Sequence, residues 1–192
     1  MDAGEIMAFD AILSFPNKSS TGIEIEGEST ILQNGIVLID EWSFSLENKL
    51  NITQHTTGAG AGKAEFEAFT IKKQLDSASA NLFAACGSGA HFQGVTVRLF
   101  KSSGNFSNAT KNCFACWTFN QLAVEKIEWS YSDPVPVETV TFKFGSCAIV
   151  YGKQSGVGTI KKAGFASWNQ IANTSSFADK IAGGAPPINV LP

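Results

Sequence analysis

Apolar and polar residues alternate along most of this 192-residue chain. Trp42, Phe44 and Leu46 are separated by polar residues, and the same period of two recurs in residues 92–101 and 124–131. This period places successive side chains on opposite faces of a β-strand. The pattern predicts about seven or eight strands, which would form a single closed or nearly closed β-barrel of two sheets. They cover residues 9–15, 29–46 (one or two strands), 65–71, 92–101, 113–119, 124–131 and 137–151.

One stretch changes from strand to helix. Residues 62–89 read GKAEFEAFTIKKQLDSASANLFAACGSG. Asp76 and Ser77 are good helix N-caps, because their side-chain oxygens accept free backbone N–H groups. Residues 78–86 are mostly good helix formers, and Gly87 can adopt the left-handed conformation that ends a helix. The sequence therefore predicts one short α-helix on the side of the barrel.

Gly145 interrupts the last alternating stretch. It shifts the phase between residues 137–144 and 146–151, as a β-bulge would. We therefore predict one long final strand with a bulge at Gly145. Gly152, Gly156 and Gly158 follow, so we predict a barrel domain over residues 1–152 and a C-terminal tail over residues 153–192.

Charge and hydropathy exclude several classes of function. The net charge of -3 gives no reason to expect nucleic acid or an anionic membrane as a partner. No apolar run reaches the ~20 residues that span a bilayer, so we expect no membrane insertion. The first residues include Asp2 and Glu5 and lack the basic and apolar regions of a signal peptide. We expect no signal peptide and synthesis in the cytoplasm.

Candidate chemistry is sparse. Cys113 and Cys116 form a CxxC pair, but a regular strand would point residues three apart to opposite faces. Zinc needs three or four converging ligands, and His55 and His91 are isolated. A catalytic triad needs a nucleophile, a histidine and an acid that meet in space, and no such set is visible. We expect no catalytic residues, no metal and no cofactor, and hence no enzyme.

Several motifs follow one another in residues 62–98: Gly62-Lys63, Phe66 and Phe69, Lys72-Lys73, Asp76, Ala85-Cys86 and the strand VTVR at residues 95–98. In this order they resemble the Hcp family, the tube proteins of bacterial type VI secretion systems. MAFDAIL at residues 7–13, Trp42-Ser43-Phe44, and PVETVTF at residues 136–142 with Val150-Tyr151 are also similar to family motifs. The resemblance runs from about residue 7 to residue 152.

This resemblance implies a structural role. Six identical subunits would form a ring, and the rings would stack into a tube that sheath contraction ejects, with effectors in the lumen. The implied partners are further copies of the chain, the VgrG spike, sheath subunits and effector cargo. The protein would then leave the cytoplasm through the type VI apparatus and become extracellular.

The resemblance also implies two sets of candidate residues. The loop at residues 48–62 would contact the next ring, and its candidates are Asn51, His55, Gly58 and Gly60. Polar strand positions would line the lumen or the seam between subunits, and their candidates are Glu65, Glu67, Lys72, Lys126 and Glu128.

Three alternatives remain at this point. The chain could be the tail-tube protein of a related phage-like contractile injection system. It could be a monomeric β-sandwich binding module with exposed aromatic residues. Its tail could also carry a targeting or docking segment, since Phe165, Trp168, Ile171 and Phe177 make it more apolar than most disordered segments. A disordered end and ordered docking on a neighbouring subunit are both compatible with that composition.

Overall fold

The computed structural model describes residues 9–32, 36–39, 41–49, 62–101, 113–132, 135–154 and 160–177. Within these ranges the chain forms thirteen strands and one helix. In chain order they are β1 (Phe9–Ser14), β2 (Ile36–Ile39), β3 (Glu41–Ser43), β4 (Leu46–Asn48), β5 (Ala64–Phe66), β6 (Phe69–Gln74), α1 (Ser79–Ser88), β7 (His91–Phe92), β8 (Val95–Lys101), β9 (Cys113–Asn120), β10 (Leu122–Ser132), β11 (Val135–Lys143), β12 (Ser146–Gln154) and β13 (Ile160–Asn169).

The strands form two antiparallel sheets and a hairpin. The first sheet has the order β13-β12-β9-β8-β1-β2, the second has the order β3-β6-β11-β10-β7, and β4 pairs with β5. The sheets curl around a shared core as a half-barrel, which confirms the predicted mainly β fold with two sheets and one short helix. Of the described residues, none lies in a helix long and apolar enough to cross a membrane.

Phenylalanines fill the core between the sheets. The Phe69 ring stacks on Phe119 at a centroid distance of 4.7 Å and on Phe142 at 5.5 Å. Phe144 meets Phe119 edge-on at 4.9 Å. Phe69, Phe119 and Phe142 point inward from their strands, and Phe144 points inward directly after β11. Such pairs add about 0.5–1.5 kcal/mol each beyond the burial of their area.

Three of the points at which the chain passes from one sheet to the other lie close together. These are Gly94 (φ 69°), Gln121 (φ 52°) and Gly145. They are tied together at Asn120, whose side-chain oxygen accepts a hydrogen bond from Gly94 N at 2.9 Å and whose carbonyl accepts one from Gly145 N at 3.0 Å. The prediction of one bulged strand over residues 137–151 is therefore wrong. Gly145 separates β11 and β12, which lie in different sheets, because the chain turns a corner there.

The helix ends later than the sequence predicted. It continues through Gly87 to Ser88, and Gly89 adopts the left-handed conformation at φ 64°. Gly87 thus lies in the last turn of the helix, and Gly89, the second glycine of Gly87-Ser88-Gly89, ends it. At the other end the N-cap is Ala78, which makes no side-chain capping hydrogen bond, so the prediction that Asp76 or Ser77 caps the helix is wrong. Asp76 Oδ1 instead accepts a hydrogen bond from Ala78 N at 2.9 Å, in the turn before the helix. The buried Leu82 side chain joins the core.

Part of the predicted tail lies in the first sheet. β12 runs through Gly152 without a break, and β13 pairs with it as the edge strand, with a register shift after Tyr151. The pattern of residues 160–169 had predicted no strand. After β13 the chain reverses, because Asn169 and Thr174 exchange backbone hydrogen bonds at 2.8 and 3.2 Å. Residues 160–177 therefore pack on their own chain.

Candidate assembly surfaces

The outer face of the five-stranded sheet is polar. Its residues alternate along β6 and β11 with the buried Phe69, Ile71 and Val140, so they point away from the core. Two rows cross four strands in register. We call this surface the polar face, and it consists of Glu41, Lys72, Thr139 and Glu128 in one row and Ser43, Thr70, Thr141 and Lys126 in the next.

Charges on the polar face balance. It carries two acids and two bases, and Lys126 Nζ lies 2.8 Å from Glu128 Oε1. Both side chains are more than half exposed, so their pairing contributes only about 0–1 kcal/mol. The face therefore remains hydrated and presents no excess of either charge. Lys72, Lys126 and Glu128, three of the predicted lumen or seam residues, come together here.

Glu65 and Glu67 lie elsewhere, on the ribbon formed by β4 and β5. Glu65 is directly opposite Glu47 and 3.4 Å from Lys49 Nζ, which offsets the repulsion between two facing carboxylates. Glu67 is exposed, and its backbone N–H bonds Ser45 O at 3.0 Å. Both belong to the hairpin that extends the β3–β6 pair. The inter-ring candidates Asn51, His55, Gly58 and Gly60 lie outside the described residues.

A buried ion cluster fixes the start of the helix to the second sheet. Lys73 Nζ lies 2.7 Å from both Glu138 Oε1 and Asp76 Oδ1 and donates to Gln74 O at 2.8 Å. Ser79 Oγ donates to Glu138 Oε1 at 2.8 Å, and Trp129 Nε1 donates to Glu138 Oε2 at 3.0 Å. Lys73 is 1% exposed and Glu138 is fully buried.

Sequence reasoning missed this cluster. It took Lys72-Lys73 as a motif and did not separate the exposed lysine from the buried one. A signal was present, because Glu138 shares the phase of Val140 and Phe142, which are apolar and face inward. A charged residue at an inward position needs a buried partner, since its desolvation is costly. Lys73, directly opposite in the register, is that partner.

An exposed apolar patch lies beside the helix. Phe83 and Trp129 contact each other with ring centroids 6.1 Å apart, although they are 61% and 52% exposed. Tyr131 at 76% and Leu75 at 48% extend the patch. We call these four residues the aromatic patch. Trp129 and Tyr131 have the inward phase of β10 but lie beyond the end of the shared core. Clusters of exposed apolar residues mark interaction sites.

An apolar cavity of about 560 Å³ opens between the hairpin and the β12–β13 edge. Trp168 is one of its lining residues, but the indole nitrogen is fully buried and does not face the open space; it has no hydrogen-bond partner within the described ranges. Gln170 links the hairpin to the body, because its side-chain oxygen accepts a bond from Phe66 N at 3.1 Å and its amide donates to Phe144 O. The cavity is lined by Phe44, Leu46, Asn48, Ala64, Phe66, Trp117, Cys147, Ile149, Ala166, Ser167 and Trp168.

The CxxC cysteines share a face, contrary to expectation. Leu99 pairs with Ala115 and Phe100 pairs with Cys113, so a bulge turns Cys113 toward the same small apolar cluster as Cys116. Burial, and then the nearby Cys116 thiol, raises the pKa of Cys113 to about 12. Burial also raises the pKa of Cys116. Such thiols are protonated and unreactive near neutral pH. Among the described residues, no group of three or more potential metal ligands is found.

His91 has a local structural contact. Its Nδ1 lies 3.0 Å from Ser20 Oγ on the exposed surface, and its backbone N–H bonds the same hydroxyl at 3.2 Å. Ser20 N also donates to His91 O at 2.9 Å. These bonds tie the loop after β1 to β7. His55 lies outside the described residues.

Comparisons with known proteins agree with this architecture. A family model described as "Type VI secretion system effector, Hcp" matches residues 17–151. A solved "type six secretion system protein" is 23% identical, with a TM-score of 0.71 over 88% of this chain and 100% of that chain. Hcp1 from Salmonella typhimurium is 21% identical, with a TM-score of 0.63 over 88% and 100%.

A type VI secretion system effector from Yersinia pestis is 17% identical, with a TM-score of 0.56 over 83% of this chain and 99% of that one. At these identities the structural likeness shows the fold alone. Comparison with curated protein sequences gave no match.

Proposed function

This chain belongs to the Hcp family of type VI secretion proteins, and from that premise we propose that it is a structural subunit of the secretion tube. The family match across both main sheets is the observation that carries the proposal. A structural subunit needs no turnover. Its function would lie in surfaces that join copies and leave a channel open.

Six copies would form a ring by repeating one head-to-tail contact around an axis. The aromatic patch suits the seam between subunits, because an interface core needs apolar side chains that a neighbour can cover. The polar face suits the channel lining, since its balanced charges keep it hydrated and attract neither sign of cargo. Glu65 and Glu67, on the hairpin, would lie closer to the neighbouring ring.

The remaining contacts follow from the family. Stacked rings would form the tube, with Asn51, His55, Gly58 and Gly60 in the loop that meets the next ring. Sheath subunits would surround the tube, the VgrG spike would cap it, and effectors would travel inside. The chain would be made in the cytoplasm and leave through the contracting apparatus. Each of these partners is a protein, which fits a surface without a strongly basic region.

The first test is the mass and shape of the purified protein. Light scattering should give six times the 20.4 kDa chain mass, and negative-stain images should show rings with a central hole. A monomer at high protein concentration, with no rings in the presence of a purified spike, would contradict the proposal.

A matched pair of variants tests the seam. Tyr131 and Ser130 are adjacent and exposed on opposite faces of β10. Tyr131→Asp should reduce the ring to monomers with an unchanged circular dichroism spectrum, because it places a carboxylate in an apolar contact. Ser130→Asp adds the same charge on the polar side and should leave the ring mass unchanged. If the two substitutions changed the ring mass equally, the aromatic patch would not be part of the seam between subunits.

A further inference from the structure

Two apolar surfaces lie at opposite ends of strand β11. One is the aromatic patch, in which Tyr131 pairs in register with Pro136 at the start of β11. The other is the apolar cavity, whose lining residues Phe44 and Phe66 contact Phe144 directly after the end of β11. From Pro136 to Phe144 an extended strand advances about 26 Å, at about 3.3 Å per residue. The patch and the cavity can therefore contact two different neighbours at once.

The cavity continues onto an exposed apolar strand face. Cys147 belongs to the core, and Ile149 and Tyr151 follow it on the same face of β12 at 37% and 50% exposure. Leu46, which also lines the cavity, is 55% exposed. The inner face of the first sheet thus extends beyond the core at this edge, as the inner face of the second sheet does at the aromatic patch.

The two surfaces are complementary in size and chemistry. The three aromatic side chains of the patch expose roughly 400 Å² together. A standard interface covers about 800 Å² on each partner, so the patch can supply its apolar centre. The cavity of about 560 Å³ has mostly apolar walls, with polar side chains at Asn48 and Ser167. Such a site suits a tyrosine, because its hydroxyl needs a hydrogen-bond partner when it is buried.

Charges beside the two surfaces are of opposite sign. The segment at residues 24–28, which we call the acidic segment, runs beside α1, where Glu24 O accepts a hydrogen bond from Asn81 at 2.9 Å. Lys18 pairs with the Glu24 carboxylate at 2.9 Å. The two other exposed carboxylates of the segment belong to Glu26 and Glu28. The β12–β13 edge carries two exposed ammonium groups, on Lys153 and Lys162.

We propose that the aromatic patch of one subunit docks in the apolar cavity of the next subunit. This inference rests on the proposed function and names both sides of its seam. The Tyr131 ring packs between Leu46 and Ile149, and the acidic segment faces the lysines of the β12–β13 edge. The contact is heterologous, so each subunit gives its patch to one neighbour and its cavity to the other, and six such contacts can close a ring.

Two variants that each block one surface test this inference by sedimentation velocity. Tyr131→Asp leaves the cavity intact, and Ala166→Trp fills the cavity but leaves the patch intact. Each variant alone should lose the rings. An equal mixture should form dimers of twice the 20.4 kDa chain mass, because the patch of the second variant docks in the cavity of the first. Ser130→Asp and Ala163→Trp make the same substitutions at exposed positions outside both surfaces and should keep the rings.

The outcomes separate this inference from the proposed function. If the wild type forms rings and the mixture stays monomeric, the inference is wrong and the tube proposal stands. If the wild type is itself a monomer, both are wrong.

A reversal of charges covers the case in which Ala166→Trp does not fold. Glu26→Lys with Glu28→Lys should raise the concentration at which rings dissociate about tenfold, because it places like charges against each other. The further changes Lys153→Glu and Lys162→Glu should restore the original value. A fourfold variant no more stable as a ring than the double variant would overturn the inference.

Discussion

Replacing Glu138 by alanine tests the buried ion cluster. The Glu138 carboxylate accepts hydrogen bonds from Lys73, Ser79 and Trp129 at 2.7, 2.8 and 3.0 Å. Its removal leaves the buried ammonium group of Lys73 without its deepest counter-ion and leaves two more donors unpaired. Breaking a buried pair on one side costs about 3–5 kcal/mol. For a chain of this length, 1 kcal/mol lowers Tm by about 2–4 °C, so we expect a fall of about 6–20 °C.

The free energy of unfolding should be measured by urea titration at one fixed protein concentration, because assembly couples stability to concentration. Glu128→Ala is the matched control. It removes a carboxylate that is also 2.8 Å or less from a lysine but is more than half exposed, so it should cost less than about 1 kcal/mol.

The double variant Lys73→Met with Glu138→Leu separates charge from packing. It replaces Lys73 and Glu138 by apolar side chains of similar size, and such exchanges are often neutral or stabilising. The third charged member, Asp76, is partly exposed and keeps its hydrogen bond from Ala78 N. We expect the double variant to recover most of the stability that Glu138→Ala loses. A loss below about 1 kcal/mol for Glu138→Ala, or a double variant as unstable as the single one, would refute the reasoning.

Three further outcomes are expected. In a ring, Lys72→Cys on the polar face should react with a small maleimide but not with a maleimide attached to a protein too large for the channel. Dissociated subunits should react with both reagents. Reaction of the ring with both reagents would show that residue 72 lies outside the lumen. Gly145→Ala should cost about 1–3 kcal/mol in urea unfolding, because a Cβ there meets two side chains, whereas Gly164→Ala meets nothing within 4 Å and should be near neutral. Burial raises the pKa of Cys113 from 9.0 to about 12, so the thiol's contribution to stability is complete below pH 9 and is lost as the pH rises toward 12. Over that range the free energy of unfolding of the wild type should fall by up to about 1.4 kcal/mol more per pH unit than that of Cys113→Ala. Parallel pH profiles of the two proteins would contradict this.

The alternation of apolar and polar residues predicted the strands well where one face of the strand is buried and the other is exposed. The mainly β fold followed from period-two stretches such as residues 92–101, and the single helix followed from the helix-forming residues 78–86. Gly145 shows the limit of that reasoning. A change of phase at one glycine is compatible with a bulge in one strand or with a corner between two sheets. The Asn120 and Gly94 contacts that select the corner come from distant parts of the chain.

The same limit applies to the candidate surfaces. Lys72, Lys126 and Glu128 could be chosen as exposed candidates because exposed strand positions alternate with buried ones, and their role in the lumen or seam stays a prediction. Lys73 differs from Lys72 only in its phase, and its burial depends on Glu138, 65 residues later. The strand β13 was missed because its pairing with β12, and not its own alternation, makes it a strand. Long-range pairing is the information that the local sequence lacks.

The position of β1 has a consequence for synthesis on the ribosome. β1 lies between β2 and β8 in its sheet, and Ser14 hydrogen-bonds Thr96, which is 82 residues later in the chain. At about 5–20 residues per second, translation leaves one side of β1 unpaired for ~4–16 s. An unpaired strand edge can join another nascent chain. Neighbouring ribosomes on one message would therefore hold several such edges close together, so a chaperone that binds nascent β1 should raise the yield of folded subunits.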